Sequence, residues 1–227
     1  MTDALETPGA RMYEEFIAIH AILRRGTALV VDGFEHLAAG GPVDVGTLVD
    51  TVRWLIDFTH HHHESEDEMF WPVLRDLYPD ALAKFDVLAE EHEILDRELD
   101  GLTRVVEQLE AAGPGDTDTP ARLALTGASA ARKVKEVLAS HLATEEPVVK
   151  DLFPGVPGNE IDRLRRAIVG GGPRSGAHLV FGLLEDPVNA PGYDLLVENF
   201  PPSFRSMRPQ LLPEYERTRQ ALGITAA

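Results

Sequence analysis

The chain has no cysteine, which removes disulfides, thiolate zinc sites, iron–sulfur clusters and a cysteine nucleophile at once and leaves His, Asp and Glu as the strong metal ligands. It also lacks any apolar run near the roughly 20 residues needed to cross a bilayer. Met1 to Gly9 shows no basic, then apolar, then small-residue secretion pattern, so a cytoplasmic location is the expectation. Basic side chains are scarce: 21 Lys and Arg stand against 38 Asp and Glu, a net charge of −17. A nucleic acid or an anionic membrane surface would be repelled, and neither is expected as a partner. A chain of 227 residues, 44% of them hydrophobic, is long enough for one well-buried core with an appendage.

Glycine and proline are sparse up to about residue 154 and dense after it. The early breaks are Gly40-Gly41-Pro42, Tyr78-Pro79-Asp80, the run from Gly113 to Pro120, and Phe153-Pro154-Gly155. They bound four helical segments, roughly 11–39, 45–77, 80–112 and 120–152, with Pro79 and Pro120 in first turns, where a helix tolerates proline. Thr119 is a candidate N-cap, and Pro72 should kink or end the second helix near Phe70. After residue 154 only short helices fit, such as Glu160 to Val169 capped by Asn159, and Glu214 to Leu222. Phe181, Leu183, Leu184, Leu195, Leu196, Phe200 and Phe204 give this tail apolar surface to pack on the rest. The Gly170-Gly171-Gly172 triplet follows no strand and precedes no Gly-Lys-Ser/Thr, so it reads as a flexible turn rather than a phosphate loop.

Each long helix carries a stripe at alternating spacings of three and four, and every stripe contains a histidine. In the first, Tyr13, Phe16, His20, Leu23, Thr27, Val30, Phe34 and Leu37 keep the spacing, and in the third, Phe85, Leu88, His92, Leu95, Leu99, Leu102, Val106 and Leu109 do. The second stripe runs Leu48, Val52, Leu55, Thr59, His62, Glu66, Met69 and Val73, and the fourth Val134, Leu138, His141, Glu145, Val148 and Leu152. Both place a His and a Glu one turn apart on an apolar face. In an up-down-up-down bundle, early positions of helices one and three share a level with late positions of two and four. His20 and His92 lie about 9 and 12 residues from their helix starts, and His62 and His141 about 15 and 11 from their ends, so at about 1.5 Å per residue the four should converge.

Any one of these histidines alone could be an ordinary hydrogen-bonded core residue. The set could not, because burying Glu66 and Glu145 beside four imidazoles without a cation leaves costly desolvated groups. Six ligands exceed one tetrahedral set, so two metals sharing carboxylates fit better, and imidazole with carboxylate suits iron, manganese or zinc. In the run His60-His61-His62-His63 the side chains point in four directions, and His62 is the one on the stripe. His63 is assigned either to assisting Asp67 behind the site or to the solvated flank. His36 and His178 lie off the four stripes and are read as ordinary histidines.

The residues resemble the hemerythrin-like, HHE cation-binding family over about 11–154. The resemblance rests on His20 followed by Leu23-Arg24, on His62-His63-Glu64-Ser65-Glu66-Asp67-Glu68 leading into Phe70-Trp71-Pro72, on Glu91-His92, and on His141-Leu142-Ala143-Thr144-Glu145-Glu146 leading into Phe153-Pro154. Ferritin-like di-iron proteins need Glu-x-x-His pairs instead, and none occurs here. The resemblance implies an all-α, antiparallel four-helix bundle over 11–154, with 155–227 as a C-terminal extension packed on it. It implies two iron ions (Fe2+/Fe3+, oxo- or hydroxo-bridged, with Mn or Zn as substitutes) held by His20, His62, His92 and His141 as terminal ligands and by Glu66 and Glu145 as bridges. Two departures stand out: oxygen-carrying relatives have a second helix-three histidine where this chain has Asp96, and their last carboxylate aligns with Glu146 rather than Glu145. Fewer imidazoles would favour the ferric state and weaken reversible oxygen carriage.

The expected function is an oxidoreductase, catalase-like or peroxidase-like, that consumes peroxide or nitric oxide with the help of an unidentified electron donor. The alternative is a non-catalytic module that senses or stores O2, nitric oxide or iron. No nucleophile, general base or organic-cofactor motif stands near the cluster, and Tyr13, two turns before His20, is assigned to packing ahead of any redox relay. Metals serving only as staples rank last, since four apolar stripes should fold without them. Oligomeric state is not legible.

Overall fold

The computed structural model describes residues 7–112, 118–171 and 175–224, and every regular element among them is helical. The long elements are α1 (Pro8–Ala38), α2 (Val45–Ser65), α4 (Leu82–Glu110) and α5 (Asp118–Leu152). A π-helical turn, Glu66–Phe70, continues α2 into α3 (Trp71–Leu77). The C-terminal part holds α6 (Gly158–Gly171), α7 (Ala177–Glu185), α8 (Tyr193–Asn199), α9 (Pro202–Ser206) and α10 (Arg208–Ala221). No helix among the described residues is long and apolar enough to cross a membrane.

Local chemistry accounts for the helix starts. Thr7 accepts from the Ala10 N–H and Pro8 follows it, while Asp44 accepts from the Thr47 N–H at 2.7 Å, a hydrogen bond that holds its carboxyl below the usual range. Two expected caps are not caps: Thr119 lies inside α5, and α6 already begins at Gly158, so Asn159 is helical. The break expected from Gly113 falls partly outside the described residues. Of the glycine triplet, Gly170 and Gly171 belong to α6, and Gly172 lies outside the described residues.

α1 packs against α2 and α5, and α4 packs against α2 and α5. All eight expected stripe residues of α4 are buried. The apolar interior is divided into two clusters. One gathers Met12 and Phe16 of α1 with Phe70, Trp71, Leu74, Phe85, Leu88, Val149 and Phe153, and the other runs from Ile22 and Leu23 through Leu55, Leu95, Leu99 and Leu138 to Leu183 of α7. A band of buried His and Glu lies between them in the register of every long helix.

The second stripe departs from expectation after Glu66. In the π-helical turn the Trp71 N–H bonds back five residues, to the Glu66 carbonyl. This wider turn absorbs one extra residue. Phe70 and Leu74 therefore take the core at 2% and 0% exposure, while Met69 is only partly buried. Pro72, whose missing N–H prompted the expected kink, follows immediately in the first turn of α3. In α5, Pro147 sits inside the helix and deprives the Ala143 carbonyl of its usual donor.

The C-terminal helices contact α1 through α6, α7 and α8. Arg25 donates to the Leu183 carbonyl at 2.8 Å and to that of Leu184 at 3.2 Å, closing the end of α7. Gly192, at φ 74°, stands where an added Cβ would lie 1.9 Å from the Glu14 carbonyl oxygen. Gly192→Ala combines a left-handed backbone with that clash and is expected to cost about 2 kcal/mol or more, lowering Tm by roughly 4–8 °C in a thermal melt. An unchanged Tm would mean that α8 does not seat on α1 in this way.

Candidate metal centre

His20, His62, Glu66, His92, His141 and Glu145, the six residues expected from the sequence, are brought together and buried, none above 9% exposure. They arrange with a seventh, His63, into two groups whose ligand atoms lie within 4.8 Å of one another: His63, Glu66, His92 and His141 in one, and His20, His62, Glu66 and Glu145 in the other. Glu66 belongs to both.

His63 corrects the expectation that a single member of the histidine run faces inward. Its side chain is neither solvated nor paired with Asp67; it stacks on His92 with ring centroids 4.2 Å apart. The reason is that α2 packs chiefly against two helices, α1 and α4. Consecutive residues point about 100° apart, so His62 turns toward His20 of α1, 5.1 Å between centroids, and His63 toward His92 of α4. The signal was present in the sequence: Glu66 follows His63 by three and His62 by four, and both spacings lie on one helix face.

Behind the rings stands a layer of carboxylates. The Nδ1 atoms of His20, His92 and His141 lie 2.9 Å from Glu146, 3.1 Å from Asp67 and 3.0 Å from Glu91. A carboxylate accepts only, so each Nδ1 carries the proton and each Nε2 turns a lone pair inward. Nε2 of His92 and Nε2 of His141 then face each other at 3.2 Å. Two lone pairs at that distance repel unless a cation lies between them. Nε2 of His20 and of His62, both nitrogens of His63 and both oxygens of Glu66 and Glu145 are likewise buried without a hydrogen-bond partner. Such groups are costly alone and are satisfied together by metal, so the residues present fit the ions that the resemblance implies.

The neighbours singled out in the sequence fall outside this inner set. Glu145, at 0% exposure, is the inward carboxylate of α5, and Glu146 instead backs His20 and is bonded by Arg24 at 2.7 Å. Asp96 is exposed beside His60, 3.5 Å away. The chain is therefore not short of imidazole at the centre: His63 of α2 supplies a fifth, and the argument against reversible oxygen binding from a low imidazole count loses its premise. Tyr13 packs with the apolar cluster that contains Phe16. His36 bonds the Asp32 carbonyl, and His178 approaches Glu214 and Thr218, both away from the centre.

Burial sets the protonation states of these side chains in the absence of a cation. It pushes the His20 imidazole below the ordinary value of 6.5, His62 and His63 well below it, and His141 down to about 3. It pushes the Glu66 and Glu145 carboxyls well above 4.5. Burial would also raise Glu146, but the hydrogen bonds from His20 and Arg24 win and bring it to about 2. A depressed imidazole contributes fully above 6.5 and loses its contribution as pH falls, because the unfolded chain takes up the proton first. A raised carboxyl contributes fully below 4.5 and loses it as pH rises. Chelator-treated protein is thus expected to show its highest Tm at about pH 6.5, with a decline on each side, and metal loading should remove the alkaline decline. A Tm that climbs steadily from pH 6.5 to 8 without metal would count against the buried carboxyls.

The Glu146–Arg24 support of His20 gives a smaller prediction. Glu146→Ala should weaken metal binding by about 10–100-fold, read by competition with a chelator, without emptying the site at saturating metal. An unchanged affinity would remove Glu146 from any role in orienting His20.

No curated protein and no solved structure matches the chain. The family model for the hemerythrin HHE cation binding domain matches it over residues 11–154.

Proposed function

Because the chain belongs to the hemerythrin HHE cation-binding family, we propose that its buried His and Glu side chains hold two iron ions and that the protein consumes small oxidants, hydrogen peroxide or nitric oxide. In this reading residues 11–154 are an antiparallel up-down-up-down four-helix bundle, and 155–227 are an extension packed on it. The observation that carries the proposal is Glu66, buried at 1% exposure with both oxygens unpartnered and shared between two groups of convergent ligands. One carboxylate between two such groups suits a pair of ions.

Each side chain has a separate task. His63, His92 and His141 would bind one ion, and His20, His62 and Glu145 the other, with Glu66 between them. Asp67, Glu91 and Glu146 hold the Nδ1 protons of His92, His141 and His20, which keeps each Nε2 free to bind and fixes the ring planes. Phe16, 4.2 Å from the His20 ring, and Phe70 set apolar surface against this side of the centre. A bound iron pair would supply reversible electron exchange and an open position for the oxidant. Manganese or zinc would fit the same donors.

A second reading, a module that binds O2 or nitric oxide or stores iron without turnover, is favoured by the fifth imidazole. Two assays on the iron-loaded protein separate the readings. Oxygen evolution from peroxide, or peroxide-dependent loss of nitric oxide, is expected over many turnovers. A stable oxygen adduct of the reduced protein that reverses under vacuum, with no turnover of peroxide, would give the function to the second reading. A single colourless zinc per chain, inert to peroxide, would defeat both.

A further inference from the structure

A cavity of about 360 Å3 opens between α1, α2 and the C-terminal helices, and His62 and Glu66 form part of its wall. It is far larger than an oxidant of two to four atoms requires; a void of about 150 Å3 is enough for benzene. Its volume falls in the range of small-molecule sites, about 300–1,000 Å3. Five phenylalanines line it: Phe16, Phe58 and Phe70 from the α1–α2 side, and Phe200 and Phe204 from the end of α8 and from α9. Phe181 packs behind the last two, edge-on to Phe200 at 5.6 Å and tilted against Phe204 at 5.0 Å between centroids, which holds them in place. Ile19, Val180, Phe200 and Phe204 are apolar yet only partly buried, because they face this space.

The polar lining narrows the occupant further. Arg165 is engaged by both oxygens of Glu15, at 3.0 and 2.8 Å, so it offers an anionic ligand no free cation. His61 also lines the cavity, and its Nε2 is shut off from solvent with no hydrogen-bond partner. A hydroxyl both donates and accepts, so it satisfies that nitrogen in either tautomer. We propose that this cavity is a binding site for a neutral aromatic alcohol, a phenol or naphthol in size and chemistry, whose ring stacks among the phenylalanines and whose hydroxyl bonds His61. The C-terminal helices make this site, since α6 to α9 supply one whole wall of it. A molecule seated there lies against His62 and Glu66, beside the reaction centre assigned above. The binding itself does not depend on that assignment.

Calorimetric titration of the metal-loaded full chain with 2-naphthol, naphthalene and 2-naphthoate tests the proposal. Saturable one-site binding of 2-naphthol is expected, with 2-naphthoate at least about tenfold weaker because its charge would be buried unpaired. Val180→Phe, which fills the space from α7, should weaken 2-naphthol and naphthalene alike by about tenfold or more. His61→Leu should weaken 2-naphthol by about three- to tenfold, the range of one hydrogen bond, and spare naphthalene. Metal content measured on the same samples reports separately on the iron reading, and Val180→Phe should leave it unchanged. Absence of naphthol binding, binding undiminished in Val180→Phe, or 2-naphthoate binding as tightly as 2-naphthol would each overturn the site. Equal losses of naphthol and naphthalene in His61→Leu would overturn the hydroxyl assignment.

Discussion

Glu66→Ala is expected to purify without either metal and without visible absorption, while Glu64→Ala and Glu68→Ala keep about two metals per chain. Glu66 is the one residue common to both ligand groups, and its two oxygens approach His62 at 3.0 Å and His92 at 3.5 Å. Glu64 and Glu68 lie on the same stretch of chain but are exposed. The contrast separates a buried shared ligand from the local density of carboxylates. Elemental analysis of the three purified variants, with circular dichroism to confirm that they remain helical, is the measurement. Two metals retained in Glu66→Ala would falsify the shared-ligand assignment.

A second large effect is expected within the histidine run. His63→Ala should lose the metal held with His92 and His141, taking the stoichiometry from about two to about one per chain, whereas His60→Ala should leave it at about two. His60 is only partly exposed but turns to Asp96 at the surface, and His63 is 3% exposed with both nitrogens unpartnered. Reading the stripe alone makes His62 indispensable and His63 replaceable. The structure puts His62 and His63 in different ligand groups, so under the proposed two-ion reading both should be indispensable. If His63→Ala keeps two metals, the group on the α4 side of α2 is not a binding site.

Much of this arrangement was legible in the sequence because helical periodicity is a strong signal over long segments. The α4 stripe from Phe85 to Leu109 ran without a break, and all of it is buried. The band of His20, His62, His92 and His141 followed from counting depth along each helix. What escaped was geometry that a uniform period of 3.6 cannot express. A stripe is one direction, whereas the two neighbouring ligand groups take donors in two directions from α2, and this hid His63. The π-helical turn hid the exchange of Met69 for Phe70, since no residue type marks a five-residue backbone bond. Carboxylates such as Glu91, which holds Nδ1 of His141 from another helix, were invisible because the pairing spans 50 positions. The aromatic cavity escaped for a similar reason: the sequence showed an apolar tail without showing which surface it would meet.

The extra residue in the turn from Glu66 to Phe70 also governs which length variants this chain can accept. Upstream of it the register is set by His62, His63 and Glu66; downstream it is set by Phe70 and Leu74, which fill the apolar cluster below the centre. Deleting one residue from the turn would restore ordinary helical winding and rotate one half against the other by about 100°. The chain would then keep either its ligands or its packing on the correct side. A point substitution at the exposed Glu68 leaves the winding, the shared Glu66 and the Asp67 support of His92 intact, so that position should drift freely in composition while the length of the turn stays frozen.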